Sequence, residues 1–298
     1  MIIEGTSRCT LSCPGCPRTW FSDTFHKPFP KFDLDVDSFS RFMDCESGRA
    51  VKEFSFNGNH GDVIYWPDLF LMLEKFRSTK NYRIFTNGSH QKDFFWHRLK
   101  DTLGPNDVVL FGIDGLEHNN HLYRKNSDWA SIMRAIEIMK QGQARLIWKS
   151  LIFSFNEKEI SAMRQRATDL GMTFTIDPTS RFGDDSLKPT TDNQLHDRRY
   201  FDKEWPKFEL EPRCSSLEYI SADGYYWPCC MISSYYTLHQ TWLWKEKDLW
   251  RIDNQTLDQA RIQLEKTKNM IASSGDRADP VCKMHCKKGQ FDYPWESM

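Results

Sequence analysis

The chain has 298 residues, 39% of them hydrophobic and 14% aromatic, enough to bury a core in one large domain or in an ordinary one with a smaller companion. Its 40 basic and 41 acidic side chains leave a net charge of −1, which excludes a global basic field for nucleic acid but not a local basic groove. No apolar run approaches a membrane span and "MIIEGTSRC" is no signal peptide, so the expected compartment is cytoplasmic, where nine cysteines argue for metal rather than disulfides.

The first candidate strand, "MIIEGTS", runs directly into "CTLSCPGCPR", where Cys9, Cys13 and Cys16 stand as C-x₃-C-x₂-C. Soft thiolates select zinc, copper(I) or iron–sulfur clusters. A closed structural zinc site takes four protein ligands, whereas this loop offers three, with His26 the nearest candidate for a fourth. Three thiolates can hold three corners of an iron–sulfur cube and leave the fourth iron open. Pro14 and Pro17 oppose helix, and Gly15 permits close backbone approach. A loop that follows a strand belongs at the C-terminal edge of a sheet, where βα architectures place their chemistry.

Five more candidate strands follow: "EFSFNG", "YRIFTNG", "DVVLFGIDG", "RLIWKSLIFSF" and "FTIDP". Helix-like stretches alternate with them, among them "WPDLFLMLEKFRS", "DWASIMRAIEIMKQG" and "EKEISAMRQRATDLGM". In the last, Ile160, Met163, Ala167 and Leu170 recur at helical spacing, and Gly171 stands in place for a C-cap. Six βα units predict an α/β fold, a partial (β/α)6 barrel with too few units for the eight-stranded kind. Glycines and polar residues close these strands. They are Gly58, Asn59, Gly61 and Asp62 in "FNGNHGD", Thr86 and Asn87 in "FTNG", and Asp114 in "GIDG" with Arg124 beyond it. Asn156 in "FSFNEKEI" also suits the N-cap of the following helix.

After Phe182 the composition changes. "GDDSLKPTTDNQ" reads as a linker, with a charged helical segment through Trp205, so the expected organisation is a core over 1–185, a connection over 186–206 and a smaller α+β unit over 207–298. That last unit carries "LEYISADGYYWPCC", a hairpin turning at Asp223-Gly224, and an amphipathic helix over roughly 254–272. Cys214, Gly224 and Cys229 form C-x₉-G-x₄-C, and Cys282 and Cys286 form C-x₃-C; zinc or a cluster would accept four such thiolates. Cys45 stands alone.

These motifs, in this order, resemble the radical S-adenosylmethionine (SAM) superfamily over essentially the whole first unit, and the later cysteines resemble its SPASM and twitch extensions. The resemblance implies a [4Fe–4S] cluster on Cys9, Cys13 and Cys16 whose open iron binds SAM. Reductive cleavage of SAM then gives a 5′-deoxyadenosyl radical that abstracts a substrate hydrogen. It further implies that Gly58, Asn59, Gly61 and Asp62, an altered Gly-Gly-Glu, meet the SAM amino end, and that Thr86 and Asn87 are a common family strand ending. Arg124 pairs with the SAM carboxylate, with Asp114 in the matching strand motif and Gly112 in place of the usual serine. Asn156 lies near the SAM ribose or carboxylate, and Ile176, in "FTIDP", borders the adenine. Gly15 replaces the usual adenine-packing aromatic, which passes that role to Trp20 or Phe21. The later cysteines imply one auxiliary [4Fe–4S] cluster on Cys214, Cys229, Cys282 and Cys286, with Cys230 and His285 as rival ligands. An external one-electron reductant such as flavodoxin or ferredoxin is the implied partner. A core that begins at residue 2 and a compact cap favour a small molecule, a nucleotide or a hypermodified phage DNA base as substrate. The alternatives are a peptide- or protein-modifying maturase and, in another class, a non-catalytic iron–sulfur or zinc protein. Cys45, His60 and Cys230 are the reactive side chains nearest these sites in sequence.

Overall fold

A computed structural model describes residues 1–177, 179, 182, 185–190, 218–227, 230, 233 and 246–273. Cys214, Cys229, Cys282, Cys286 and His285 lie outside the described residues, as does the segment 191–217.

Runs rich in aromatic and β-branched residues form six strands: β1 (Ile2–Ile3), β2 (Glu53–Phe56), β3 (Asn81–Thr86), β4 (Val108–Gly112), β5 (Arg145–Leu151) and β6 (Thr173–Asp177). The segments between them are long enough to carry the chain back over the sheet, so neighbouring strands pair in parallel. Those segments hold α1 (Pro17–Phe25), α2 (Val36–Met43), α3 (Glu46–Ala50), α4 (Leu69–Phe76), α5 (Asp93–Thr102), α6 (Asn120–Tyr123), α7 (Trp129–Met139) and α8 (Ile160–Asp169). The sheet continues past β1 with a hairpin, β7 (Tyr219–Ile220) and β8 (Tyr226–Trp227). β7 lies parallel to β1 and β8 antiparallel to β7, giving the order β6-β5-β4-β3-β2-β1-β7-β8 with two open edges among the described residues. The α/β class and the six-unit parallel core agree with the sequence.

Alternation along the strands decides the two faces. Tyr82, Ile84, Val109, Phe111 and Trp148 join the main core with Phe39, Trp96 and Ile136 from the helices. Val108, Leu110 and Ile147 form a separate small cluster on the opposite face, with Phe85 against it. Burying each such side chain contributes about 1.5–3 kcal/mol. Gly171 ends α8 as its spacing predicts: its φ is +73°, its N–H donates to Thr168 O at 2.9 Å, and Met172 N–H donates to Ala167 O at 2.9 Å. That double closure is the Schellman arrangement. The last helix, α9 (Leu257–Ser273), bridges α3 and the residue before β7: Asp258 accepts from the N–H groups of Glu46 and Ser47 at the start of α3, and Arg261 forks onto Glu218 at 2.7 and 2.9 Å.

Candidate active site

The cysteine loop leaves β1 and crosses the C-terminal ends of the neighbouring strands. Leu11 and Cys13 pack with Tyr123, Phe153 and Phe182, while Cys9 and Cys16 border the same cluster. Ser12 N–H donates to Lys125 O at 3.1 Å, which ties the loop to the segment after β4. Gly15 has φ +67°, and Cys16 N–H closes the turn onto Cys13 O at 3.2 Å. A side chain is strained at that φ, which explains glycine where the resembling family carries an aromatic. Cys16 then caps α1, with Pro17 at its first position. No disulfide joins any described cysteine. Burial, then the charge of Asp62, pushes the Cys9 thiol up to about 12; burial, opposed by Arg124, pushes Cys13 up to about 11. A metal centre binding here would displace those protons.

Beside Cys13 stands a buried ion pair. Arg124 Nε donates to Asp114 Oδ2 at 2.6 Å, and Asp114 Oδ1 accepts from Leu151 N–H at 2.7 Å. Burial raises the Asp114 carboxyl, with Arg124 the main opposing influence. A Cβ on Gly112 would sit 2.8 Å from Arg124 Nη2, so glycine in place of serine makes room for the guanidinium. Asn156, fully buried, locks the ends of β4 and β5 together: Oδ1 accepts from Phe153 N–H at 2.7 Å, while Nδ2 donates to Asp114 O at 2.7 Å and Leu151 O at 2.8 Å. It does not cap α8, whose N-cap is Glu159 with no side-chain cap bond. The local N-cap expectation fails because the longer-range carbonyls take up the side chain.

After β2 and β3 a second network forms. Asp62 Oδ2 accepts from Asn87 N–H at 2.7 Å, Asn87 Nδ2 at 2.5 Å and Thr86 Oγ1 at 3.1 Å, and Oδ1 accepts from Ile64 N–H at 3.3 Å. Burial drives the Asp62 carboxyl up to about 6 against these donors. Asn87 Nδ2 also reaches Cys9 Sγ at 3.7 Å. Glu4, buried just past β1, accepts from His60 N–H at 2.6 Å and Gly61 N–H at 3.3 Å and meets His60 Nδ1 at 3.2 Å. A Cβ on Gly58 would lie 2.8 Å from Glu4 Oε1, and one on Gly61 would overlap Thr6 O. Asn59 turns the other way. Its N–H donates to Tyr219 Oη at 3.1 Å and its Nδ2 to Cys230 O and Ser233 Oγ, both at 2.8 Å.

The remaining expected positions are more dispersed. Ile176 is half-buried and registers with Ser150; alternation places it with Phe174, which packs on the helix-side core. Trp20 is exposed on α1, whereas Phe21 is buried against Phe25 and Phe29. Cys45 is buried at the N-cap of α3, its Sγ accepting from Gly48 N–H at 3.4 Å. Among the described residues no three His, Cys, Asp or Glu side chains stand close enough to grip a single metal ion. The three corners of a cube are further apart than the ligands of one ion. The loop's donor set of three soft thiols on an apolar bed fits such a cluster. Arg18 Nε and Thr19 Oγ1, just beyond Cys16, are buried polar atoms with no hydrogen-bond partner among the described residues.

No family model matches the sequence, and no curated protein does. Solved structures match the fold. anSMEcpe with bound AdoMet is similar over 96% of this chain and 88% of that one, with TM-score 0.60 and 16% identity. SuiB of Streptococcus suis bound to S-adenosylmethionine is similar over 93% and 67%, with TM-score 0.61 and 13% identity. BtrN in complex with AdoMet and 2-DOIA is similar over 98% and 96%, with TM-score 0.50 and 14% identity. The chain has the radical SAM fold. In that fold the three cysteines, Asp62, Asn87, Asp114, Arg124 and Asn156 all lie at or beyond the C-terminal strand ends. Sequence reasoning missed Glu4 and Tyr219, which tie the radical SAM sheet to its added hairpin; a carboxylate closing an apolar strand was the available signal for Glu4. No described helix is long and apolar enough to cross a membrane.

Proposed function

We propose that this chain is a radical SAM enzyme that holds a [4Fe–4S] cluster on Cys9, Cys13 and Cys16 and binds SAM beside it. The observation that carries this reading is a three-thiol loop with no fourth ligand on it, bedded against Tyr123, Phe153 and Phe182 at the strand ends. Structures of the same fold hold bound AdoMet, which supports it. When bound, the cluster and SAM together supply a reductively formed 5′-deoxyadenosyl radical for hydrogen abstraction from substrate. The chain's own residues bind and orient. Arg124, fixed by Asp114 through Nε, offers its Nη groups to the SAM carboxylate; Asn156 holds the β4 and β5 ends that carry that pair. The loop of Gly58, Asn59 and Gly61, packed on Glu4 and Thr6, is assigned to the SAM amino end, Thr86 steadies it through Asp62, and Ile176 on β6 is assigned to the adenine. The packed aromatics shield Leu11 and Cys13 from water. The test is anaerobic reconstitution with iron and sulfide, then assay of 5′-deoxyadenosine from SAM. Wild type should form it and Cys13→Ala should not; formation by Cys13→Ala sinks the assignment.

An auxiliary [4Fe–4S] cluster on Cys214, Cys229, Cys282 and Cys286 belongs to the same proposal, with structural zinc as its rival. It is supported by the hairpin β7–β8, which turns at Gly224 with φ +82°, the glycine of C-x₉-G-x₄-C. The substrate reading remains a small molecule or nucleotide, for which BtrN in complex with 2-DOIA is the supporting parallel. SuiB bound to precursor peptide SuiA favours a second reading, a peptide substrate. An external one-electron donor such as flavodoxin or ferredoxin completes the proposal.

A further inference from the structure

Asp62 is held through both carboxylate oxygens. Oδ2 accepts from Thr86 Oγ1, Asn87 N–H and Asn87 Nδ2, and Oδ1 accepts from Ile64 N–H. The orientation of the Asn87 amide is settled by the same network. Its Oδ1 accepts from Ser89 N–H at 2.9 Å, so its NH₂ must face Asp62 and Cys9. One N–H goes to the carboxylate at 2.5 Å and the other to Cys9 Sγ at 3.7 Å. Asn87 is itself 5% exposed, so water does not compete for this donor.

We propose that Asp62 and Asn87 are a positioning pair for Cys9, in which Asp62 aims the Asn87 amide at the sulfur and the N–H···S bond raises the reduction potential of the three-cysteine cluster. The inference rests on the cluster reading above and gives Asp62 a role other than contact with SAM. Reduction adds an electron whose charge spreads onto the sulfurs, so a fixed N–H dipole stabilises the reduced state more than the oxidised one. In a buried setting that dipole acts with little screening.

The test is a redox titration of the anaerobically reconstituted full chain, following the electron paramagnetic resonance signal that SAM addition alters. Asn87→Ser keeps a side-chain oxygen able to accept from Ser89 N–H, and so preserves the turn while removing the amide donor; Asn87→Ala removes both. Both variants should lower the reduced-to-oxidised ratio at fixed potential by about tenfold, or ~59 mV for a one-electron couple. A folded Asn87→Ser protein with the wild-type midpoint overturns the inference. So does one that keeps the midpoint but loses SAM affinity, which would make Asn87 a SAM contact. If the Cys9/Cys13/Cys16→Ala protein binds as much iron as wild type, the cluster reading itself falls and takes this inference with it.

Discussion

Arg124→Ala separates two roles that the site assigns to one guanidinium. Arg124 Nε donates to Asp114 Oδ2 at 2.6 Å; the carboxylate is wholly buried and the Arg124 side chain 21% exposed. Truncation leaves Asp114 with Leu151 N–H at 2.7 Å and only the weaker influence of the Lys149 charge. Removing one partner of a buried pair costs about 3–5 kcal/mol, and the partial exposure of Arg124 reduces the expected loss to about 2–4 kcal/mol. For a chain of this length that is a fall in Tm of about 4–8 °C. The Asp114 carboxyl, already raised by burial, rises further. A folded-state pKa above the unfolded one means the folded chain binds more protons, so the variant should lose stability as pH rises through that window and gain it toward acid. SAM binding is a second readout. Loss of a charge-assisted contact is worth about 1.5–3 kcal/mol, or about 10- to 150-fold in Kd by calorimetry. Adding Asp114→Asn should recover much of the stability by removing the stranded charge, without recovering SAM affinity. Unchanged SAM affinity in Arg124→Ala refutes the reasoning and leaves Arg124 as a partner of Asp114 alone.

If the later cysteines hold a cluster, the Cys9/Cys13/Cys16→Ala protein should retain about half of the roughly eight irons of two four-iron cubes, without SAM-dependent spectral change; zinc in their place, by metal analysis, removes the auxiliary cluster. Gly171→Ala and Gly88→Ala share φ +73°, but an added Cβ at 171 meets nothing within 4 Å whereas at 88 it sits 2.9 Å from the Phe111 ring. Chemical denaturation should show a loss of about 1–2 kcal/mol at Gly171 and a clearly larger one at Gly88; equal losses would contradict the packing. Burial opposes ionisation of Glu4, but His60 outweighs it and holds the carboxyl below its ordinary value of 4.5. Its contribution is therefore present above that pH and lost as pH falls through the lower folded value. Glu4→Gln should be destabilised by about 2 kcal/mol at pH 7, with the gap narrowing in acid urea melts; a gap that widens in acid would refute the pairing.

The sequence by itself determined the elements whose signals are local. The alternation of strand and helix is set by side-chain periodicity, and the end of α8 by the one residue that adopts φ +73° without strain. The C-x₃-C-x₂-C loop was legible because three soft ligands on one short segment need no distant partner to declare a chemistry. Tertiary structure decided the rest, because buried polar groups take whichever partner the strand ends bring within reach. Asn156 stood where an N-cap is expected, yet its amide went to the carbonyls of Asp114 and Leu151 when β4 and β5 aligned. Gly112 departed from the family serine for a reason visible only once Arg124, twelve positions on, had folded back against it. Glu4 and Tyr219 are far apart in the chain, and nothing local announces that β7 pairs beside β1. Pairing of that kind depends on which edges remain open after the six parallel strands have formed, and that is a property of the assembled sheet.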